Sequence, residues 1–90
     1  MDRETVERVI DDVGRRVAEI RRQLGWTQQE AAEKLGMPLK NWQRLEEGKM
    51  NVTLRTLVRI ARGLGVRARV LLEEPQARPK RQRGRPRKDE

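Results

Sequence analysis

Cysteine, histidine, serine, tyrosine and phenylalanine are all missing from this ninety-residue chain. Without cysteine there is no disulfide and no thiolate to ligate zinc, so apolar packing alone must hold the fold, as suits a reducing compartment. Without histidine, serine or cysteine the commonest general base and the usual nucleophiles are gone. Catalysis would rest on scattered carboxylates, so no enzyme, metal site or cofactor is expected. The doublets Asp11-Asp12, Glu46-Glu47 and Glu73-Glu74 match no metal-binding loop and read as solvated faces or caps. No run approaches the roughly 18 apolar residues of a membrane span, and the N-terminus is polar rather than signal-like. The expectation is a soluble cytoplasmic protein with no membrane partner.

What the chain has in excess is positive charge: 22 Lys and Arg against 14 Asp and Glu, for a net charge of +8. The excess is uneven. Residues 1–74 hold 15 basic and 12 acidic groups, whereas residues 75–90 hold 7 and 2, so the last sixteen residues carry five of the eight excess charges. This divides the chain into a nearly balanced domain, 1–74, and a basic tail, 75–90. Beyond Pro75 no apolar residue is larger than alanine, and Pro79 and Pro86 interrupt an Arg-rich run, so the tail is expected to be disordered when free. Such a tail attracts polyanions, nucleic acid first, or serves only solubility.

Within the domain, Val6, Val9, Ile10, Val13, Val17, Ile20 and Leu24 recur at three- and four-residue steps, the period of one amphipathic helix that Gly25 stops. Gly14 falls inside the pattern at a cost of about 1 kcal/mol relative to alanine, and a continuous helix is favoured over one starting near Arg15. Thr27-Gln28-Gln29-Glu30 has the spacing of a capping box, which starts a second helix at Gln28 that ends at Leu35-Gly36. Pro38 suits the first turn of a third helix running to about Glu47, closed by Gly48. Thr53 caps a fourth, with Leu54, Leu57, Val58, Ile60, Ala61 and Leu64 as its inner stripe and Gly65 as its end. Residues 66–74 alternate as a strand does but also fit a short helix, and a fifth helix is favoured. The fold class is therefore all-α: a compact bundle of four to five helices, followed by the disordered basic tail.

Two short helices joined by a tight turn with glycine, the second with a polar face, form a helix-turn-helix. Ala32 is small where the pair would cross, Gly36 opens the turn, and Trp42 and Leu45 direct the third helix inward. With Trp42 at zero on a helical wheel, Lys40, Gln43, Arg44 and Glu47 fall between about 100° and 200°, facing outward. Arg44 is suited to grip a guanine edge with two hydrogen bonds, and Gln43 an adenine edge. A merely solvated face is the plainer alternative. Trp26 and Trp42 are candidates for stacking on bases, but they sit at core-facing positions and read as core.

These residues resemble the lambda-repressor-like helix-turn-helix domains, also called the Cro or XRE family. The resemblance runs from about Arg15 to Leu72, through Arg22-Gln23-Leu24-Gly25-Trp26-Thr27-Gln28-Gln29-Glu30-Ala31-Ala32-Glu33-Lys34-Leu35-Gly36, then Trp42-Gln43-Arg44-Leu45-Glu46-Glu47-Gly48-Lys49 and Leu64-Gly65-Val66. It implies a bundle of about five helices that binds double-stranded DNA as a homodimer and regulates transcription. By position it implies base reading at Leu39, Lys40 and Arg44, and backbone contacts at Gln28, Lys49 and Asn51. It also implies a partly buried structural ion pair between Arg21 and Glu46, a phosphate contact by Arg21 being the alternative. The chain departs from the family pattern at Leu39, which would meet a thymine methyl, at Met37 and Pro38 in place of hydroxyl residues, and at Ala31 in place of Leu.

In the tail, Lys80-Arg81-Gln82-Arg83-Gly84-Arg85-Pro86-Arg87-Lys88 resembles the AT-hook of architectural DNA-binding proteins. Arg83 and Arg85 can lie along a narrow A·T minor groove, Gly84 lets the backbone reach its floor, and Pro86 limits the conformations to be lost. Plain phosphate binding, RNA, a membrane surface or a protein partner remain as alternatives.

The expected function is a sequence-specific, nucleoid-associated transcriptional regulator, acting as a repressor, that reads the major groove with helix 38–47. The alternatives are an antitoxin that holds a toxin protein, and an architectural nucleoid protein. Val6, Val9, Ile10 and Val13 either extend the core or join Val70, Leu71 and Leu72 in a patch that a second subunit covers.

Overall fold

Each α-helix begins where a threonine or a proline interrupts the chain, and each ends at a glycine. The computed structural model describes residues 4–76, and its element order is α1 (Val6–Gln23), α2 (Gln28–Lys34), α3 (Leu39–Glu46), α4 (Leu54–Leu64) and a 3-10 helix, Ala68–Leu72. No strand occurs among the described residues. Residues 77–90 of the basic tail, with Arg83, Gly84, Arg85 and Pro86, lie outside them.

Thr5 caps α1, its hydroxyl accepting from the Arg8 amide at 3.0 Å. The helix runs unbroken through Gly14, which is buried. A Cβ at this position would collide with the carbonyl oxygen of Leu45 and lie 2.9 Å from that of Glu46. The bare backbone of α1 is therefore the seat for the last turn of α3.

The capping box of α2 is complete: the Glu30 amide donates to the Thr27 hydroxyl at 3.0 Å, and the Thr27 amide donates to the Glu30 carboxylate at 2.8 Å. Ala31 and Ala32 are both buried, so α2 approaches its neighbours closely. Gly36, at φ +65°, turns the chain towards α3. There the Met37 amide donates to Ala32 O at 2.9 Å and the Gly36 amide to Glu33 O at 3.2 Å. This pair of bonds satisfies carbonyls that the helix end would leave bare. The same pair closes α3, from Lys49 N to Arg44 O and Gly48 N to Leu45 O.

The third helix is one residue shorter at each end than its sequence pattern suggests. Pro38 has ψ 142° and stands outside α3 as an N-cap without a side-chain hydrogen bond, since its ring fixes φ and leaves ψ free. Glu47 is the C-cap.

The core gathers around Val17, Trp42, Leu45, Ile60 and Leu71, all fully buried. On α4 the inner stripe is Leu57, Ile60, Ala61 and Leu64. Leu54 and Val58, expected in that stripe, are 76% and 45% exposed, because no element packs over their edge of the helix. Residues 66–74 form neither a strand nor an α-helix. The single 3-10 turn suffices to bury Leu71, while Arg16 Nε donates to Val70 O at 3.2 Å. Val13 and Leu71 are buried, and Val9 and Val70 pack on the core, so most of the suspected patch is used within one chain. Val6 and Leu72 remain exposed. Packing continues past residue 74: Pro75 is buried and the Gln76 amide donates to Glu19 Oε1 at 3.2 Å.

Candidate nucleic-acid interface

The face of α3 that could meet a ligand is set by what holds its underside. Glu46 is 6% exposed and Arg21 9%. The Glu46 carboxylate accepts from Arg21 Nε at 2.6 Å and Arg21 Nη2 at 3.1 Å, from Trp42 Nε1 at 2.6 Å and from Gln28 Nε2 at 2.9 Å. Arg21 spends a further donor, Nη1, on the carbonyl of Trp26 at 2.8 Å. One carboxylate thus joins α1, α2 and α3. Burying a charged pair is favourable only when its remaining donors and acceptors are satisfied, and here they meet on both partners. Such bonds are directional, so they fix the rotation of α3 about its own axis.

With Trp42, Leu45 and Glu46 turned in, the helix presents Lys40, Asn41, Gln43, Arg44 and Glu47 to solvent, with Leu39 half-buried at its start. Lys40 and Gln43 have no side-chain partner among the described residues. Arg44 leans over the end of its own helix, donating from Nη2 to Lys49 O at 3.1 Å. Lys49 Nζ lies 3.6 Å from Glu47 Oε1, an exposed pair worth little. Asn51 is exposed in the connector. The outward set at α3 and its connector is therefore three cations, Lys40, Arg44 and Lys49, with three amides, Asn41, Gln43 and Asn51, and one carboxylate, Glu47. Guanidinium and amide groups on one helix face are equipped to donate to base edges and phosphates.

Gln28 stands apart from that exposed set. Half-buried, it directs its side-chain amide to Glu46, so its position at the start of α2 serves the network. Neither Gln28 nor Trp42 is legible in the sequence as a partner of Glu46. The available signal is the four-residue step from Trp42 to Glu46, which places both on one side of α3. Trp42 is wholly buried, and Trp26 packs against the core with Lys34 Nζ 5.1 Å from its ring centroid.

Among the described residues no group of three or more His, Cys, Asp or Glu is placed to hold a metal ion, and no helix is long and apolar enough to cross a membrane.

A short capped helix, a glycine turn and a second helix pinned from below define a helix-turn-helix protein. The chain belongs to the HTH_3 helix-turn-helix family, whose model matches residues 17–71. This is a family of DNA-binding transcription regulators. Among solved structures it is similar to a hypothetical transcription factor, NHTF, from Neisseria, at 25% identity over 84% of this chain and 87% of that one, with a TM-score of 0.73. It is similar also to the restriction-modification controller protein C.AhdI from Aeromonas hydrophila, at 27% identity over 69% of this chain and 94% of that one, with a TM-score of 0.65. A second controller, C.Esp1396I, matches at 27% identity over 70% and 81% of the two chains, with a TM-score of 0.63. No curated protein matches the chain.

Proposed function

We propose that the protein is a sequence-specific transcriptional repressor that lays α3 in the DNA major groove. In this reading Lys40, Gln43 and Arg44 address base edges and Leu39 a thymine methyl. Arg44 approaches guanine with the donors that Lys49 O leaves free. Lys49 and Asn51 address the sugar-phosphate backbone and fix the register, while Gln28, its side-chain amide held by Glu46, supports α3 from below. The protein acts as a homodimer on half-sites about 34 Å apart, one helical turn. The segment Arg83-Gly84-Arg85-Pro86 adds affinity from a neighbouring minor groove.

The observation that carries this reading is the two-sidedness of α3: a buried polar network below, and exposed Lys40, Gln43 and Arg44 above. The similar structures, a hypothetical transcription factor and two restriction-modification controllers, favour a regulatory role over an antitoxin or an architectural one.

Selection from random duplexes followed by band shifts tests it. The expected result is a two-fold symmetric site bound far more tightly than a scrambled duplex of equal length, with affinity falling steeply as salt rises. Removing residues 78–90 should weaken binding and flatten the salt slope while leaving the preferred sequence unchanged. Equal affinity for every duplex would end the claim of sequence reading.

A further inference from the structure

Five residues on the outer side of α4, Leu54, Arg55, Val58, Arg59 and Arg62, fall within an arc of about 140° on a helical wheel. All five are exposed, and together they line a shallow depression of about 420 Å³. No acidic residue occurs anywhere on α4. Among the described residues neither Arg55 nor Arg62 has a side-chain partner, and Arg59 gives a single donor to Leu35 O at 3.2 Å. Leu54 and Val58 lie one helical turn apart on a single helix, whereas the other exposed large apolar residues are Val6 and Leu24, at the two ends of α1, and Leu72 in the 3-10 helix.

We propose that this face of α4 docks an acidic amphipathic helix of a protein partner. The pattern narrows the occupant. A DNA backbone would satisfy the three guanidinium groups and leave Leu54 and Val58 without a counterpart. A second copy of this chain, set face to face about a two-fold axis, would bring the same three arginines against themselves. An acidic amphipathic helix answers both halves of the surface. Apolar residues at positions i and i+4 seat on Leu54 and Val58, and flanking carboxylates meet Arg55, Arg59 and Arg62 through paired hydrogen bonds. The surface belongs to a helix other than α3, so a partner can bind there whatever α3 reads.

The test uses the full chain, labelled for NMR, and two synthetic peptides of about sixteen residues. Both have the same leucine and glutamate content; one places them together on a single helical face, and the other is scrambled. The patterned peptide should shift the amide resonances of residues 54–62, leave those of residues 39–44 in place, and bind at least about tenfold more tightly than its scramble. The Leu54→Ser, Val58→Ser double variant should lose that preference. The Arg55→Glu, Arg62→Glu double variant should lose the acidic peptide and bind a lysine-bearing counterpart. Equal binding of both peptides, or shifts centred away from α4, would overturn the proposal. So would a fall in duplex DNA affinity in Arg55→Glu, Arg62→Glu as large as the fall in peptide affinity, which would make the face a phosphate contact. A dimer that sediments as a monomer once Leu54 and Val58 are serine would assign the face to a second copy instead.

Discussion

Helices α3 and α4 lean on one core, yet they are held and exposed by different means. Beneath α3, the Glu46 carboxylate takes hydrogen bonds from Arg21, Gln28 and Trp42, and the outer face is polar with charges of both signs. Beneath α4 the contact is apolar throughout, Leu57, Ile60, Ala61 and Leu64, and the outer face is leucine, valine and arginine. Apolar contact has no direction, so it secures a helix without strictly setting its rotation. Hydrogen bonds do set it. A helix whose outer side chains must point at particular atoms gains from the second arrangement, and one that offers a broad adhesive surface is served by the first.

The contrast can be broken most decisively at Glu46. Glu46→Ala leaves the Arg21 cation buried without its partner and should lower the unfolding free energy by about 3 to 5 kcal/mol in a denaturant titration. A loss below about 1 kcal/mol would mean that α3 is held as α4 is, by apolar packing alone. Next in size is Gly14→Ala. Helix propensity favours this change by about 1 kcal/mol, but the new Cβ meets the carbonyls of Leu45 and Glu46, so a net loss of about 1 to 3 kcal/mol is expected by thermal or chemical unfolding. On the outer side of α3, Arg44→Ala should leave unfolding nearly unchanged and weaken binding to the selected DNA site by about 1 to 3 kcal/mol, relaxing the preference at one base pair. The smallest effect belongs to the outer side of α4, where Leu54→Ser and Val58→Ser should each move stability by no more than about 0.5 kcal/mol. A larger loss there would show that these two side chains serve the fold after all.

Much of this molecule is written locally. The Thr27 capping box, the Thr53 cap and the glycines that close the helices are each contained within a few residues, so the sequence places α2 and α4 to within a residue. What it leaves open depends on distant neighbours. The loss of helix propensity at Gly14 is visible, but its reason is the backbone of residues 45 and 46, about thirty positions away. Hydrophobicity alone assigns Leu54 and Val58 to an inner stripe, yet burial needs an opposing element, and the whole fold decides where that element lies. The Arg21–Glu46 pair follows from family resemblance; the part played by Gln28 and Trp42 does not, because periodicity tells which side faces inward and not which polar atoms meet there. Residues 66–74 are ambiguous for a related reason: one buried side chain, Leu71, settles the conformation, and its environment is made by other helices.

The contact between Gly14 and the end of α3 is backbone against backbone, so it is indifferent to the side chains that α3 carries on its far side. Positions 40, 43 and 44 can therefore be rewritten together without unseating the helix. If α3 reads bases as proposed, its outer face is an exchangeable insert in a fixed socket, and new DNA specificities can be written into it while the rest of the chain stays as it is.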